Sequence, residues 1–257
     1  MLKTVPPMSL STRVRCVLAV MCYIAFGIGG SMISLILLLC FFLPERARVC
    51  VGSKVLQYSW KLMCALMSMT WNLALRVPDK KKMKAIRSSI VVANHPSLID
   101  VVILTSIIPG SKLVANSKLL RWRFLRPILR GLCITNDTGA EQFIAQAKRA
   151  LDDGFNVIIF PEGTRTTPGK VSKLQRGAFQ LALQSGYPIV PIHIHTDGPF
   201  LTKEYPWWYV GEHCPHFTLS LGAPMLAELE AGETRHAAAV RLSREVAAFI
   251  LPQQQAS

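Results

Sequence analysis

Between Arg15 and Glu45 lie 29 residues, "CVLAVMCYIAFGIGGSMISLILLLCFFLP" from Cys16 to Pro44, without one charged side chain. About 20 apolar residues in a helix suffice to cross a bilayer, and a helix apolar on every face has no stable place in water. Part of this chain is therefore expected in lipid. A cleavable signal peptide has a shorter apolar region followed by a small-x-small site. Here the run is too long, and Arg46 and Arg48 follow it.

At about 1.5 Å per residue a straight helix over the run outreaches the roughly 30 Å hydrocarbon core. Tilt is expected, or a bend near Gly27, Gly29 or Gly30. Arg13 and Arg15 stand before the run, and Arg46, Arg48 and Lys54 after it. Loop charge therefore selects no orientation, and residues 16–44 suit a re-entrant hairpin as well as a span. A second apolar stretch, Leu62 to Leu75 between Lys61 and Arg76, is too short to span. With Trp60 and Trp71 as anchors it predicts an interfacial helix over 55–75.

Charge is unevenly distributed in the 257 residues. Residues 1–99 hold 13 Lys and Arg against Glu45 and Asp79 alone, eleven of the net +14. The block Lys80, Lys81, Lys82, Lys84 and Arg87 suits either nucleic acid or anionic lipid. No helix-turn-helix, zinc-finger or base-stacking pattern accompanies it, so beside apolar helices the expected partner is lipid headgroups and not nucleic acid. Seven Cys, five before residue 65, show no C-x-x-C spacing and read as reduced packing residues. "HIH" (His193–His195) lies in an apolar strand pattern, and "HCPH" (His213–His216) lacks a second ligand pair, so no metal site is expected.

After Val77-Pro78-Asp79, which reads as a turn, short Val- and Ile-rich runs alternate with helical stretches. Strands are predicted at Ser89–Ala93, Lys112–Ala115, Asn156–Phe160, Pro188–Ile194 and Phe217–Leu221, and helices near 97–107, 117–130, 138–152, 174–185 and 232–250. This pattern predicts an α/β fold, a mixed central sheet flanked by helices and preceded by an N-terminal membrane-embedded helical segment. The expected division is 1–78 for the membrane helices and 79–257 for the α/β domain.

In such folds ligands gather where strands end and helices begin. Two segments fit: "VVANHPSLIDVVIL", with His95 and Asp100, and "NVIIFPEGTRTTPGK", with Glu162, Gly163, Thr164 and Arg165. A neutral imidazole can take a proton from a hydroxyl, with a carboxylate on its other ring nitrogen fixing the tautomer. The plainer alternative has His95 capping the helix and Asp100 satisfying a backbone amide. In the second segment Arg165 suits a phosphate, and Gly163 and Thr164 offer amides to an anion. An internal Glu162–Arg165 pair in an ordinary loop is the alternative there. No G-x-S-x-G elbow is present, which argues against a serine hydrolase.

Taken together, "NHPSLID" and "FPEGTR", 67 residues apart from His95 to Glu162, resemble the glycerolipid acyltransferases of the lysophosphatidate acyltransferase type. "IVPIHI" at Ile189–Ile194 resembles their later V-P-[IV] segment, so the likeness covers about 85–195. The resemblance implies transfer of a fatty acyl group from acyl-CoA or acyl carrier protein to a lysophospholipid hydroxyl, in phospholipid biosynthesis. The donor is a substrate, and no cofactor is implied. His95 is implied as general base and Asp100 as its orienting partner, with oxyanion donors among the amides from Asn94 to Ser97. Asn94, Glu162, Gly163, Thr164, Arg165 and Arg176 are implied to hold the substrate. The implied location is a membrane, with the catalytic domain on the cytoplasmic face of a bacterial inner membrane. Oligomeric state stays open.

Three segments depart from the family pattern. "GLCITND" puts Asp137 where the family carries an arginine associated with the glycerol phosphate. "VANSKL" has Asn116 for a lysine and Lys118 for a glutamate, and "LQRG" has Gln175 for a lysine, with Arg176 beside it. Arg121, Arg123, Arg126 and Arg130 either replace the lost charge or, interleaved with Trp122 and Phe124, lie on anionic membrane. The acceptor therefore stays open between lysophosphatidate, a lyso-aminolipid such as lyso-ornithine lipid, and a specialised lipid product. A thioesterase and a non-catalytic lipid-binding homologue are the remaining alternatives.

Overall fold

The computed structural model describes residues 2–39, 44–115, 133–135, 139–166 and 174–251. The predicted helix at 117–130, the arginines within it, and Asn116, Lys118 and Asp137 lie outside the described residues. Two long helices open the chain, α1 (Leu10–Leu39) and α2 (Glu45–Met69). α1 starts six residues before the uncharged run and continues unbroken through Gly27, Gly29 and Gly30. Its Leu10–Met32 stretch is long and apolar enough to cross a membrane by length and composition.

The two helices run antiparallel. Phe26 stacks on Trp60 at 4.8 Å, while near their other ends the Arg15 guanidinium donates to the Trp71 carbonyl (3.0 Å) and Asn72 Nδ2 donates to the Arg15 carbonyl (3.1 Å). Trp60 thus packs inside the pair, while Trp71 is exposed. On the outer face of α1, Leu10, Val14, Val17, Met21, Ile24, Ile28 and Met32 recur every three or four residues and stay exposed. That spacing draws one apolar stripe along the helix.

The inner face belongs to the core of the sheet. Cys16, Ala19 and Cys22 of α1 and Met63, Cys64 and Met67 of α2 share one buried cluster with Val91, Ile103, Ile192 and Phe217. α2 lies along α4 (Asp100–Ile107), where Gln57 Nε2 donates to the Ser106 carbonyl at 3.4 Å and Cys64 Sγ approaches Ser106 Oγ at 3.9 Å.

Seven strands form one sheet, β1 (Ala74–Arg76), β2 (Ile90–Ala93), β3 (Ser111–Ala115), β4 (Cys133–Thr135), β5 (Asn156–Ile159), β6 (Ile189–Thr196) and β7 (His216–Leu221), in the order β1-β7-β6-β2-β5-β3-β4. All neighbouring pairs are parallel except β6 and β7. The sheet is therefore mixed, as expected. β2 sits in the middle and is buried on both faces, which explains its continuous "IVVA". Val91 and Ala93 face the helix pair. Ile90 and Val92 face the second core, built on α5 (Ala140–Asp152), α6 (Gly177–Ser185) and α7 (Arg235–Ile250).

Two sequence expectations are corrected at the junction. The predicted interfacial helix over 55–75 stops at Met69. Trp71 takes φ +57°, Asn72 turns its side chain inward, and Ala74–Arg76 pairs with β7 as an edge strand. The sheet thus begins before residue 79, and the basic block is itself a short helix, α3 (Lys80–Ala85), with Met83 buried and its four lysines exposed.

Candidate active site

β2 and β5 are parallel neighbours with Ile90 opposite Val157 and Val92 opposite Ile159, an offset of 67 residues. The separation of His95 from Glu162 is the same 67, so the pairing register itself sets the two motif loops side by side at the carboxyl edge of the sheet. Contact between them is direct. The His95 amide donates to Glu162 Oε1 (3.0 Å) and Thr166 Oγ1 (3.1 Å), and its carbonyl accepts from the Thr166 amide at 2.7 Å.

The imidazole is held as firmly as the backbone. His95 Nδ1 lies 3.1 Å from Asp100 Oδ2, and the ring stacks on Phe160 with centroids 4.3 Å apart and planes at 24°. Asp100 is the first residue of α4 and completely buried, and its Oδ2 also accepts the Ser97 amide at 2.7 Å. Both sequence readings of Asp100 are therefore true at once: it satisfies a backbone amide and it meets the histidine. Burial pushes its carboxyl up to about 6, against the opposing pull of the His95 and Ser97 hydrogen bonds. With the Nδ1 proton directed at Asp100, a neutral ring carries its lone pair on Nε2, for which no partner exists among the described residues.

His95 lines a cleft of about 660 Å³. Leu98 and Val101, Leu113, Phe143, Ile144 and Phe160 give it apolar walls, and Gly163, Thr164, Arg165 and Gln175 supply its polar side. The arrangement is a histidine backed by Phe160 in the lining of a cleft with both apolar and polar walls.

Residues 74–195 match the family model described as Acyltransferase, from the first residue of β1 to near the end of β6. This stretch is an acyltransferase-family domain. The chain is 30% identical over 132 residues to the 1-acyl-sn-glycerol-3-phosphate acyltransferase beta of Homo sapiens, covering 48% of this chain and 46% of the relative. It is also 30% identical over 114 residues to the 1-acyl-sn-glycerol-3-phosphate acyltransferase of Cocos nucifera, covering 40% and 36%. The matched stretch thus spans less than half the length of these relatives. Among solved structures, the 1-acyl-sn-glycerophosphate (LPA) acyltransferase PlsC from Thermotoga maritima aligns with TM-score 0.66 over 93% of this chain and 97% of that one, at 20% identity. Its likeness extends the shared fold to nearly the whole chain.

Several residues of the acyltransferase domain stand apart from the roles that the sequence suggests. Asn94 is buried outside the cleft, its Nδ2 donating to the Ile194 carbonyl (2.8 Å) and its Oδ1 accepting the Ile194 amide (2.7 Å). Glu162 faces the back of the His95 loop instead of Arg165. Arg165 donates from Nη1 to the carbonyls of Leu201 (2.9 Å) and Thr202 (2.8 Å). Arg176 does not line the cleft and lies against the His236 ring, 2.9 Å from Nε2. Of the expected oxyanion donors, the His95 and Ser97 amides are already engaged and Pro96 has none. Gly163 (φ +65°) packs against the Gln175 side-chain amide, which would have to shift to admit a Cβ.

Three contributors to the site were not anticipated from the sequence. Thr166 ties the two loops together, and Phe160 backs the imidazole. The segment Phe200–Thr202 braces both loops: Ser97 Oγ donates to the Phe200 carbonyl (2.7 Å) and the Leu98 amide to the Leu201 carbonyl (3.1 Å). The first two adjoin or belong to the "FPEGTR" motif. The brace acts through carbonyls and has no side-chain signature.

Proposed function

We propose that this chain transfers a fatty acyl group from a thioester donor, acyl-CoA or acyl carrier protein, to the free hydroxyl of a lysophospholipid in phospholipid biosynthesis. The observation that carries the reading is His95, fixed through its backbone by Glu162 and Thr166 and through its ring by Asp100 and Phe160, at the edge of an apolar cleft. The relatives, 1-acyl-sn-glycerol-3-phosphate acyltransferases by name, support the same chemistry.

In this mechanism His95 Nε2 takes the proton of the acceptor hydroxyl as its oxygen attacks the thioester carbonyl. Asp100 keeps the Nδ1 proton in place and stabilises the imidazolium that forms. Collapse of the tetrahedral intermediate breaks the C–S bond, and the imidazolium returns its proton to the thiolate. Proton and acyl group balance between the two substrates, so the reaction needs no further group. Gly163, Thr164 and Arg165 flank the acceptor, while Asn94 and Glu162 serve by positioning.

The exposed apolar stripe of α1 supports membrane association, and the exposed lysines of α3 support placement on an anionic, cytoplasmic face. The test is purified protein in lipid with labelled acyl-CoA or acyl carrier protein, assayed by mass spectrometry against lysophosphatidate, a lyso-aminolipid and water alone. Transfer to a lysolipid is expected, and His95→Ala should lower it by about 10² to 10⁴-fold with the protein still folded. Full turnover by that variant removes the base, and release of free acid without acceptor makes the chain a thioesterase.

A further inference from the structure

Between α5, α6 and α7 lies a second hollow, of about 400 Å³, and it adjoins the cleft that holds His95: Ala140, Ile144 and Gln180 line both. A ligand longer than the cleft can therefore continue into this notch. Ile144 and Leu183 give it apolar surface, and Gln180 and Gln184 supply side-chain amides. Arg235 and His236, from the start of α7, complete its wall. Arg176 lies against that wall, with Nη1 2.9 Å from His236 Nε2.

These cations stand where local helix energetics disfavour them. Thr234 caps α7, its hydroxyl accepting the Ala237 amide at 3.2 Å, and the first turn then carries Arg235 and His236 with no acid. α6 likewise follows Arg176 with no acid in its first turn. The partial positive charge at a helix start favours Asp or Glu and repels arginine, and a broken local preference is expected where a site needs the residue. No carboxylate offsets the cost. Arg176 meets an imidazole ring, and Arg235 has no hydrogen-bond or ion-pair partner among the described residues. Glu233, two residues before Arg235, is taken by Arg241 at 2.8 Å. Glu141 is the acid in the lining, and Arg235 together with Arg176 leaves the notch net positive.

We propose that this notch seats the nucleotide end of acyl-CoA, with Arg235 and His236 on its phosphates and the pantetheine arm running along the shared wall toward His95. The inference rests on the acyl-transfer reading above and deepens it, since it names CoA as the donor and the residues that recognise it. A phosphate on an unpaired guanidinium gains charge-assisted hydrogen bonds, and Arg176 adds positive charge against His236. The apolar patch, the two amides and Glu141 suit a base with its ring face and amino group. A carrier protein presents the same arm on a folded surface, which needs a broad contact and not a notch.

The experiment uses the full-length protein in lipid nanodiscs, as wild type, Arg235→Glu and Arg235→Lys. An acid in the first turn suits the helix, so Arg235→Glu should unfold no lower than wild type in a thermal scan, which separates loss of binding from loss of fold. With acyl-CoA varied at saturating lysolipid, Arg235→Glu should raise KM about tenfold and change kcat less than about threefold, and Arg235→Lys should restore most of the loss. With an acyl-pantetheine, which lacks the nucleotide, wild type and Arg235→Glu should agree. Adenosine 3′,5′-bisphosphate, the nucleotide end without its arm, is titrated by calorimetry in parallel and should bind the wild type but not Arg235→Glu. Equal binding by the two proteins, or none by the wild type, overturns the proposal. A KM rise that persists with acyl-pantetheine overturns it too, as does one confined to acyl carrier protein, which makes the notch a protein-docking surface. If no lysolipid is acylated while bisphosphate binding still depends on Arg235, the acyl-transfer reading fails and the nucleotide site stands.

Discussion

The loop after β2 and the loop after β5 both follow a buried strand, both hold an acid and a base, and they lie side by side. Their side chains nevertheless do different work. In the first, His95 and Asp100 face each other across a helix start, and in the proposed function the pair handles the proton. In the second, Glu162 and Thr166 turn toward the His95 backbone, and Arg165 turns toward a third segment. In the proposed function one loop carries the reacting group and the other holds it still, although either charged pattern invites a direct role in substrate binding.

The contrast breaks most severely at Asp100. Asp100→Asn frees the imidazole tautomer and should lower kcat by about 10² to 10⁴-fold. It should also change how stability depends on pH. Burial raises the Asp100 carboxyl from its ordinary 3.8 to about 6, so the folded protein holds that proton more tightly than the unfolded chain. The contribution is complete below about pH 4 and is lost as pH rises through about 6, an effect on the order of 3 kcal/mol by neutral pH. Chemical unfolding at pH 4.5 and 7.5 should show a smaller loss between the two for the variant than for the wild type. An equal loss in both would mean that Asp100 does not titrate in this range.

Glu162→Gln tests the holding role with a smaller effect. The amide keeps an acceptor for the His95 N–H but replaces a charged acceptor by a neutral one, so a loss on the order of 1 to 2 kcal/mol in the anchoring of the loop is expected. We expect kcat to fall about tenfold with acceptor KM within twofold. A large rise in acceptor KM with kcat retained would return Glu162 to the substrate. The smallest effect belongs to Arg176→Gln. Its side chain lies against His236 at the surface, and acceptor KM and stability should both stay near wild type, the latter within about 0.5 kcal/mol. A tenfold KM increase there would place Arg176 back in the acceptor site.

What the sequence disclosed, and what it concealed, follows the same division. Strands buried on both faces announce themselves as unbroken Val and Ile, so β2 and β5 were legible, and the 67-residue interval between motifs is the register of those strands. The His95–Asp100 contact follows from the reach of a turn entering a helix. β1 was hidden because three residues after a long apolar helix carry no period of their own, and only pairing with β7 makes them a strand. The brace at Phe200–Thr202 was hidden because it works through carbonyl groups, which every residue possesses. The partners of Asn94 and Arg165 were hidden for a related reason: they are backbone groups of Ile194, Leu201 and Thr202, which lie 100, 36 and 37 residues away.

α4 has one further consequence. Its first residue is Asp100, and Ser106, six residues on, meets Gln57 and Cys64 of α2, a distance of about 9 Å along the axis. The carboxylate that meets His95 and the contacts made to α2 thus sit at opposite ends of one short rod. Trimming the N-terminal helices to obtain a freely soluble fragment would strip the flank of that rod and unseat its other end. The N-terminal helix pair is in this sense part of the footing on which His95 stands.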